Sequence, residues 1–129
     1  MGVEGPFEFH DAGIRSSSEE YVANVPPGLS DARSLLVALK EVLRLPDYFG
    51  FNWNALDEVL GDFHWMSERT IVIRHSDLPR LPDSELRIYL DSLADAVRGW
   101  REGGEHSLRV VFPRDARSEI DRLVGADST

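Results

Sequence analysis

The chain has 129 residues, of which 42% are hydrophobic and 29% are charged, a balance typical of one folded domain and untypical of a disordered or membrane-embedded chain. It contains no cysteine, which excludes disulfides, a thiolate nucleophile and cysteine metal ligands. With 14 basic and 23 acidic residues its formal net charge is −9. We therefore expect it to repel nucleic acids and anionic membranes and to attract cationic partners.

The sequence carries no targeting signal that we recognise. No stretch approaches the ~18 consecutive apolar residues of a membrane span. The first residues lack the basic flank and the apolar stretch of a signal peptide. Together with the absence of cysteine, these features lead us to expect a cytoplasmic protein.

The chain divides into a short extension and one domain. Residues 1–19 are rich in glycine and serine and show little periodicity, so we predict a loose N-terminal extension with at most an edge strand around residues 7–10. Residues 20–129 are predicted to form the folded domain, which ends in a short helix.

Within this domain, strands and helices alternate. The predicted elements are a strand at 21–25 before Pro26, a helix at 32–43 that is capped by Ser30 and ended by Pro46, a helix from an Asn52 cap to about Phe63, a strand at 70–73, a helix from Asp83 or Ser84 to Gly103, a strand at 108–112 and a short helix after Pro113. Strands that are nearly all apolar and separated by helices indicate an α/β fold. We predict a single domain with a small three-stranded parallel sheet covered by helices.

The most unusual chemistry lies in residues 45–68, which contain no lysine or arginine. Four of the acidic residues in this window are Asp47, Asp57, Glu58 and Asp62, and its aromatic residues include Tyr48, Phe49, Phe51, Trp53 and Phe63. At about 100° per residue, the second helix would place its apolar residues on one side and Asn54, Asp57, Glu58, Gly61 and Asp62 on the other.

This acidic helix face is not what stability alone favours. Glu58 and Asp62 are like charges four residues apart, which costs a helix ~0.2–0.5 kcal/mol. Gly61 between them costs about 1 kcal/mol relative to alanine. A cationic partner that docks on this face would account for both features. The alternative is an ordinary solvated acidic face.

The aromatic residues of the window divide into two groups. Trp53 and Phe63 lie beside the apolar stripe of the helix and are predicted to belong to the core. Tyr48 lies in the preceding loop, where binding residues are common, and we predict that it contacts a partner.

Residues 45–60 have the sequence LPDYFGFNWNALDEVL, which resembles the signature of the barstar family. The resemblance extends over roughly residues 20–112. It implies a three-stranded parallel sheet and a loop-helix face that plugs a ribonuclease active site, with carboxylates in place of RNA phosphates. The barnase–barstar pair is itself the standard example of electrostatically steered association, and this mechanism is carried over from the resemblance.

The same resemblance assigns roles to single residues. Tyr48 matches the family's contact tyrosine, Asn52 the helix-starting asparagine and Glu58 the dominant carboxylate. Asn54 stands where the family has its first helix aspartate, and Asp57 is a candidate to restore that charge one turn later. The predicted partner-binding residues are Tyr48, Phe49, Gly50, Asn52, Trp53, Asn54, Asp57, Glu58, Gly61 and Asp62.

We therefore predict an inhibitor of a basic, extracellular, microbial guanyl-type ribonuclease that forms a 1:1 complex with it. We expect no cofactor, no metal, no nucleic-acid partner and no membrane partner. The alternative is an immunity or adaptor protein on the same fold that binds a different cationic toxin.

Catalysis is disfavoured by the sequence. Asp57 and Glu58 are adjacent in a helix, so they point about 100° apart, unlike the paired carboxylates of a glycosidase. No nucleophile elbow, phosphate loop or metal-ligand cluster is present. The four histidines, each predicted at the surface or at a strand end, are His10, His64, His75 and His106.

Overall fold

The computed structural model describes residues 5–11 and 18–124. The elements in chain order are β1 (Phe7–Phe9), β2 (Glu20–Val25), α1 (Ala32–Val42), α2 (Trp53–Leu60), β3 (Thr70–His75), α3 (Asp83–Arg101), β4 (Ser107–Phe112), a 3-10 turn (Arg114–Ala116) and α4 (Arg117–Val124). None of the helices in this part of the chain is long and apolar enough to cross a membrane.

The sheet has four strands in the order β1-β4-β3-β2, and every pair is parallel. The α/β class is confirmed, but the prediction of three strands is wrong. The fourth strand, β1, lies in the N-terminal extension, at the place where the sequence allowed an edge strand, and pairs with β4, with Phe7 opposite Val110 and Phe9 opposite Phe112. A strand of three residues shows almost no periodicity, and its partner strand is distant in the sequence. Tertiary pairing therefore decides its structure.

The helices share one hydrophobic core with one face of the sheet. Ile71, Ile73 and Val110 of the central strands belong to the same buried cluster as the apolar residues of all four helices. A second, separate buried cluster consists of Val22, Val72 and Val111. Because side chains alternate along a strand, these three valines lie on the other face of the sheet. The core thus fixes α1, α2 and α3 against one face.

Two helix ends differ from the prediction. The cap of α1 is Asp31 and not Ser30, because the Asp31 carboxylate accepts a hydrogen bond from the Ser34 amide at 2.7 Å. Helix α2 ends at Leu60, three residues earlier than predicted, with Gly61 as its C-cap. Phe63 has a φ of 51° and is fully buried, so the chain leaves the helix to bring this ring into the core.

Candidate functional site

The loop between α1 and α2 is anchored in the core. Leu45 and Phe49 are buried, and the Phe49 amide donates to the Pro46 carbonyl at 3.0 Å. Phe51 has a φ of 54°, a strained left-handed conformation for a phenylalanine. Its ring centroid lies 5.1 Å from that of Phe49 and 5.0 Å from the Arg33 guanidinium carbon. These contacts hold the strained backbone that leads into α2.

Asn52 joins this loop to α2. Its side-chain oxygen accepts from the Ala55 amide at 2.8 Å, and its side-chain nitrogen donates to the Gly50 carbonyl at 3.3 Å. The predicted role of Asn52 as the helix cap is confirmed. Such a cap stabilises a helix by about 1 kcal/mol, which is substantial for a helix of only eight residues.

The exposed side of α2 carries most of the predicted binding residues. Leu56, Val59 and Leu60 are buried, as their spacing predicts. The predicted binding residues that are exposed on α2, at its C-terminal end or in the flanking loops are Tyr48, Gly50, Asn52, Asn54, Asp57, Glu58, Gly61 and Asp62. Tyr48 is 67% exposed, an unusually high value for a tyrosine.

Two predicted binding residues are less accessible. The Phe49 side chain is only 3% exposed and lies in the core, so its role as a partner contact, which would have to use its backbone, stays a prediction. Trp53 is half-buried and packs on Tyr89 of α3, with 6.1 Å between ring centroids. Trp53 and Phe63 both pack into or against the core, as predicted.

Asp62 does not extend the α2 face as a helical residue. It follows the C-cap, and its carboxylate contacts the His64 ring, with Oδ2 at 2.8 Å from Nδ1. The prediction that Glu58 and Asp62 repel each other from consecutive turns of one helix is therefore wrong. The physical reason is the early end of the helix at Gly61.

The carboxylates of Asp57 and Glu58 are left without cationic neighbours. Among residues 5–11 and 18–124, no lysine, arginine or histidine nitrogen lies within 4.0 Å of either group. Asp47, in the preceding loop, contacts Lys40 at 3.5 Å, although its side chain is fully exposed. The acidic face is thus only weakly neutralised by the protein itself.

A buried polar pair lies behind Trp53. The ring of His75 lies 2.7 Å from the Tyr89 hydroxyl and 3.0 Å from the Val111 carbonyl, and it stacks on Phe112 with centroids 4.0 Å apart. Burial lowers the pKa of His75 to about 4 and raises the pKa of Tyr89. A neutral His75 can donate from Nδ1 to Val111 and accept from Tyr89 at Nε2. The pair thereby fixes α3, against which Trp53 packs.

Two further histidines, His64 and His106, have separate surroundings. His106 is buried just before β4, where its Nδ1 lies 2.8 Å from the Glu68 carbonyl. His64 is exposed in the turn after α2. Within the described ranges, no three side chains of histidine, aspartate or glutamate are grouped so that they could hold a metal ion.

One feature of this region escaped the sequence interpretation. A groove separates α2 from α3, and Asp57 and Gly61 line it together with Asp95, Gly99 and Trp100 of α3. The sequence feature that could have indicated this groove was Gly99, a glycine inside a strongly helical pattern. The spacing within one helix cannot reveal which residues of another helix it faces.

The fold and the site together define a small parallel α/β protein that presents an acidic loop and helix at its surface. Residues 27–113 match the sequence model of a family described as Barstar (barnase inhibitor). Because this match covers more than half of the chain, the protein belongs to the Barstar family, as its resemblance indicates. The strands β1 and β2, the 3-10 turn and the whole of α4 lie outside the matched residues. A search of curated proteins finds no match.

Proposed function

We propose that this protein inhibits a basic microbial ribonuclease by covering its active site with the loop at 45–52 and the exposed face of α2. Membership of the Barstar family supports the inhibitor class. The observation that carries the proposal is the pair of exposed carboxylates on α2, Asp57 and Glu58, which have no cationic neighbour in the described part of the chain. We also propose that the complex is 1:1 and that the inhibitor acts in the cytoplasm.

The charge distribution supports a cationic target. A ribonuclease that binds RNA phosphates has a basic cleft, and carboxylates can occupy it in place of the phosphates. The net charge of −9 would accelerate the encounter at low salt. We therefore expect the association rate to fall as salt rises, because exposed charges are screened over about 8–10 Å at physiological ionic strength.

The rigidity of the loop supports tight binding. Asn52 and the buried ring of Phe49 fix the backbone on either side of Gly50, so little conformational entropy should be lost when a partner binds. Tyr48, which is exposed beside these anchors, is the aromatic side chain best placed to contact the partner.

Inhibition of purified enzymes tests the proposal directly. The protein is titrated against a panel of small basic guanyl-type ribonucleases, together with Glu58→Gln and a control, Asp115→Asn. Both variants remove one exposed negative charge, but Asp115 lies in the turn after β4. We expect stoichiometric inhibition by the unaltered protein and by Asp115→Asn, and a clear loss in Glu58→Gln.

The other outcomes have distinct meanings. Equal inhibition by both variants would keep the function but contradict the proposed face. If no enzyme of the panel were inhibited, the immunity or adaptor alternative with a different cationic toxin would be favoured, and basic partners would be sought by pull-down.

A further inference from the structure

The chain enters the proposed docking loop at the C-terminal end of α1. The last carbonyls of a helix have no amide partner within the helix, so they need donors from elsewhere. The Lys40 carbonyl accepts from the Leu45 amide at 3.0 Å. The Glu41 carbonyl accepts from the Arg44 amide at 3.3 Å, and Arg44 has a φ of 55°, the left-handed turn that often ends a helix. The turn after α1 thus provides donors for these two carbonyls.

The next two carbonyls accept from aromatic side chains. The Tyr21 hydroxyl of β2 donates to the Val42 carbonyl at 2.6 Å, and the Trp65 indole nitrogen donates to the Leu43 carbonyl at 3.0 Å. Val42 is partly exposed, whereas Leu43 is 0% exposed. Water can therefore replace a lost donor at Val42, but it has no access to Leu43. A buried carbonyl without a donor is unfavourable, so the end of α1 depends on Trp65.

The hydrogen bond between Trp65 and Leu43 encloses the whole docking region. Its two residues are 22 positions apart in the sequence. Leu43 precedes the loop at 45–52, and Trp65 follows α2. The loop and α2 therefore both lie between the two ends of this bond. The bond closes the segment at its base and fixes where the loop lies relative to α2.

The Trp65 ring is itself held in place. It packs on Phe63, with centroids 5.5 Å apart, and lies edge-on to His64, with centroids 5.3 Å apart. Phe63 is fully buried and has a φ of 51°, a conformation that a phenylalanine keeps only when surrounding contacts hold it. The burial of Phe63 thus turns the chain after α2 so that the indole of Trp65 reaches the end of α1.

We infer that Trp65 is a positioning residue for inhibition, which holds the docking loop and α2 in the arrangement that the ribonuclease meets. This inference rests on the proposed function, in which Tyr48 of the loop and Glu58 of α2 contact one partner together. An arrangement that is fixed before binding reduces the entropy lost when the partner docks. A loop that is correctly placed for only a fraction of the time weakens binding in proportion to that fraction.

Amide hydrogen exchange tests the positioning role without a ribonuclease. Trp65→Phe keeps an aromatic ring but removes the indole N–H. The control, Tyr21→Phe, removes the donor to the neighbouring carbonyl, and this donor lies outside the docking region. We expect Trp65→Phe to accelerate exchange of the Phe49 amide, which is bonded within the loop, by about tenfold or more, and Tyr21→Phe to change it by less than about twofold. Equal exchange in the two variants would overturn the inference.

The unaltered protein provides a second measurement that needs no variant. The Trp65 indole N–H and the Phe49 amide should become exposed in the same local opening, so their exchange should depend on urea in the same way. Separate openings with different urea dependence would also overturn the inference, because the loop could then move while the hydrogen bond to Leu43 stays formed.

The inhibition assay links this arrangement to function. With a ribonuclease that the protein inhibits, at a temperature where each variant is folded, we expect Trp65→Phe to weaken inhibition about tenfold and Tyr21→Phe to inhibit normally. Normal inhibition by Trp65→Phe would overturn the positioning role. Weaker inhibition with unchanged loop exchange would overturn it as well, because Trp65 would then contact the ribonuclease directly. Normal inhibition by Glu58→Gln would instead reject the α2 face, and the exchange measurements would still decide whether Trp65 holds the loop.

Discussion

Two charged regions of this protein differ in whether their carboxylates have a cationic neighbour. On the outer face of the sheet, Arg109 of β4 makes two 2.8 Å contacts with Glu8 of β1 and a 3.3 Å contact with Glu20 of β2. On α2, Asp57 and Glu58 have no such cation in the described part of the chain. The first region compensates its charges internally, and the second leaves them exposed to solvent.

This difference separates charges that hold the fold from charges that are available to a partner. The two-pronged contact with Arg109 lowers the pKa of Glu8 and ties the edge strand β1 to the sheet. Unpaired carboxylates on a helix do little for stability, but they keep their full attraction for an external cation. The same residue type thus serves structure in one place and, as we propose, recognition in the other.

Reversal of the charge at Glu58 on α2 should have the largest effect, and it should fall on binding and not on stability. We expect Glu58→Lys to weaken ribonuclease binding by about a thousandfold or more, since it replaces an attraction at the interface with a repulsion. The scale of this loss comes from measured interfaces, the barnase–barstar pair among them. Stability to urea should change by less than about 0.5 kcal/mol, because the side chain is exposed and unpaired. A large loss of stability with unchanged binding would contradict the division of roles.

The buried histidine behind α2 should make the fold sensitive to acid. Burial lowers the pKa of His75 from 6.5 to about 4, so between these values the unfolded chain binds a proton that the folded chain does not. Stability should therefore be full above about pH 6.5 and fall by on the order of 3 kcal/mol as the pH drops to about 4. Urea unfolding across this range measures the loss, and the NMR titration of the His75 ring checks its cause. A ring that titrates near pH 6.5 in the folded protein would refute it.

Removal of the cation on the outer face should have the smallest of the three effects. We expect Arg109→Met to destabilise the fold by about 1–2 kcal/mol, a reduced value because the side chains involved are partly exposed. In the unaltered protein, the lowered pKa of Glu8 adds stability above its ordinary value of 4.5, and this part is lost as the pH falls through the folded pKa. Arg109→Met should lack this part of the acid dependence and should inhibit ribonuclease normally. Impaired inhibition by a folded Arg109→Met would contradict the separation of the two regions.

The candidate site was predictable where it depends on local sequence. The Asn52 cap, the buried stripe of α2 and the exposure of Tyr48, Asp57 and Glu58 all follow from the residue types and their spacing within one short segment. The burial of the Phe49 side chain was not predictable, because the burial of a loop residue depends on the tertiary contacts that cover it. Asp62 was misplaced because a helix end is decided by competition with the tertiary contacts that draw Phe63 into the core.

By itself, the sequence determined the α/β class, the order of all elements longer than three residues and the acidic character of the α2 segment. These features depend on periodicity, caps and charge, which are properties of neighbours in the chain. Tertiary structure alone decided that β1 adds a fourth strand, that Arg109 holds it, and that Gly99, Trp100 and Asp95 lie opposite Asp57 and Gly61. Each of these is a contact between residues distant in the sequence, and such contacts are set by how whole elements pack.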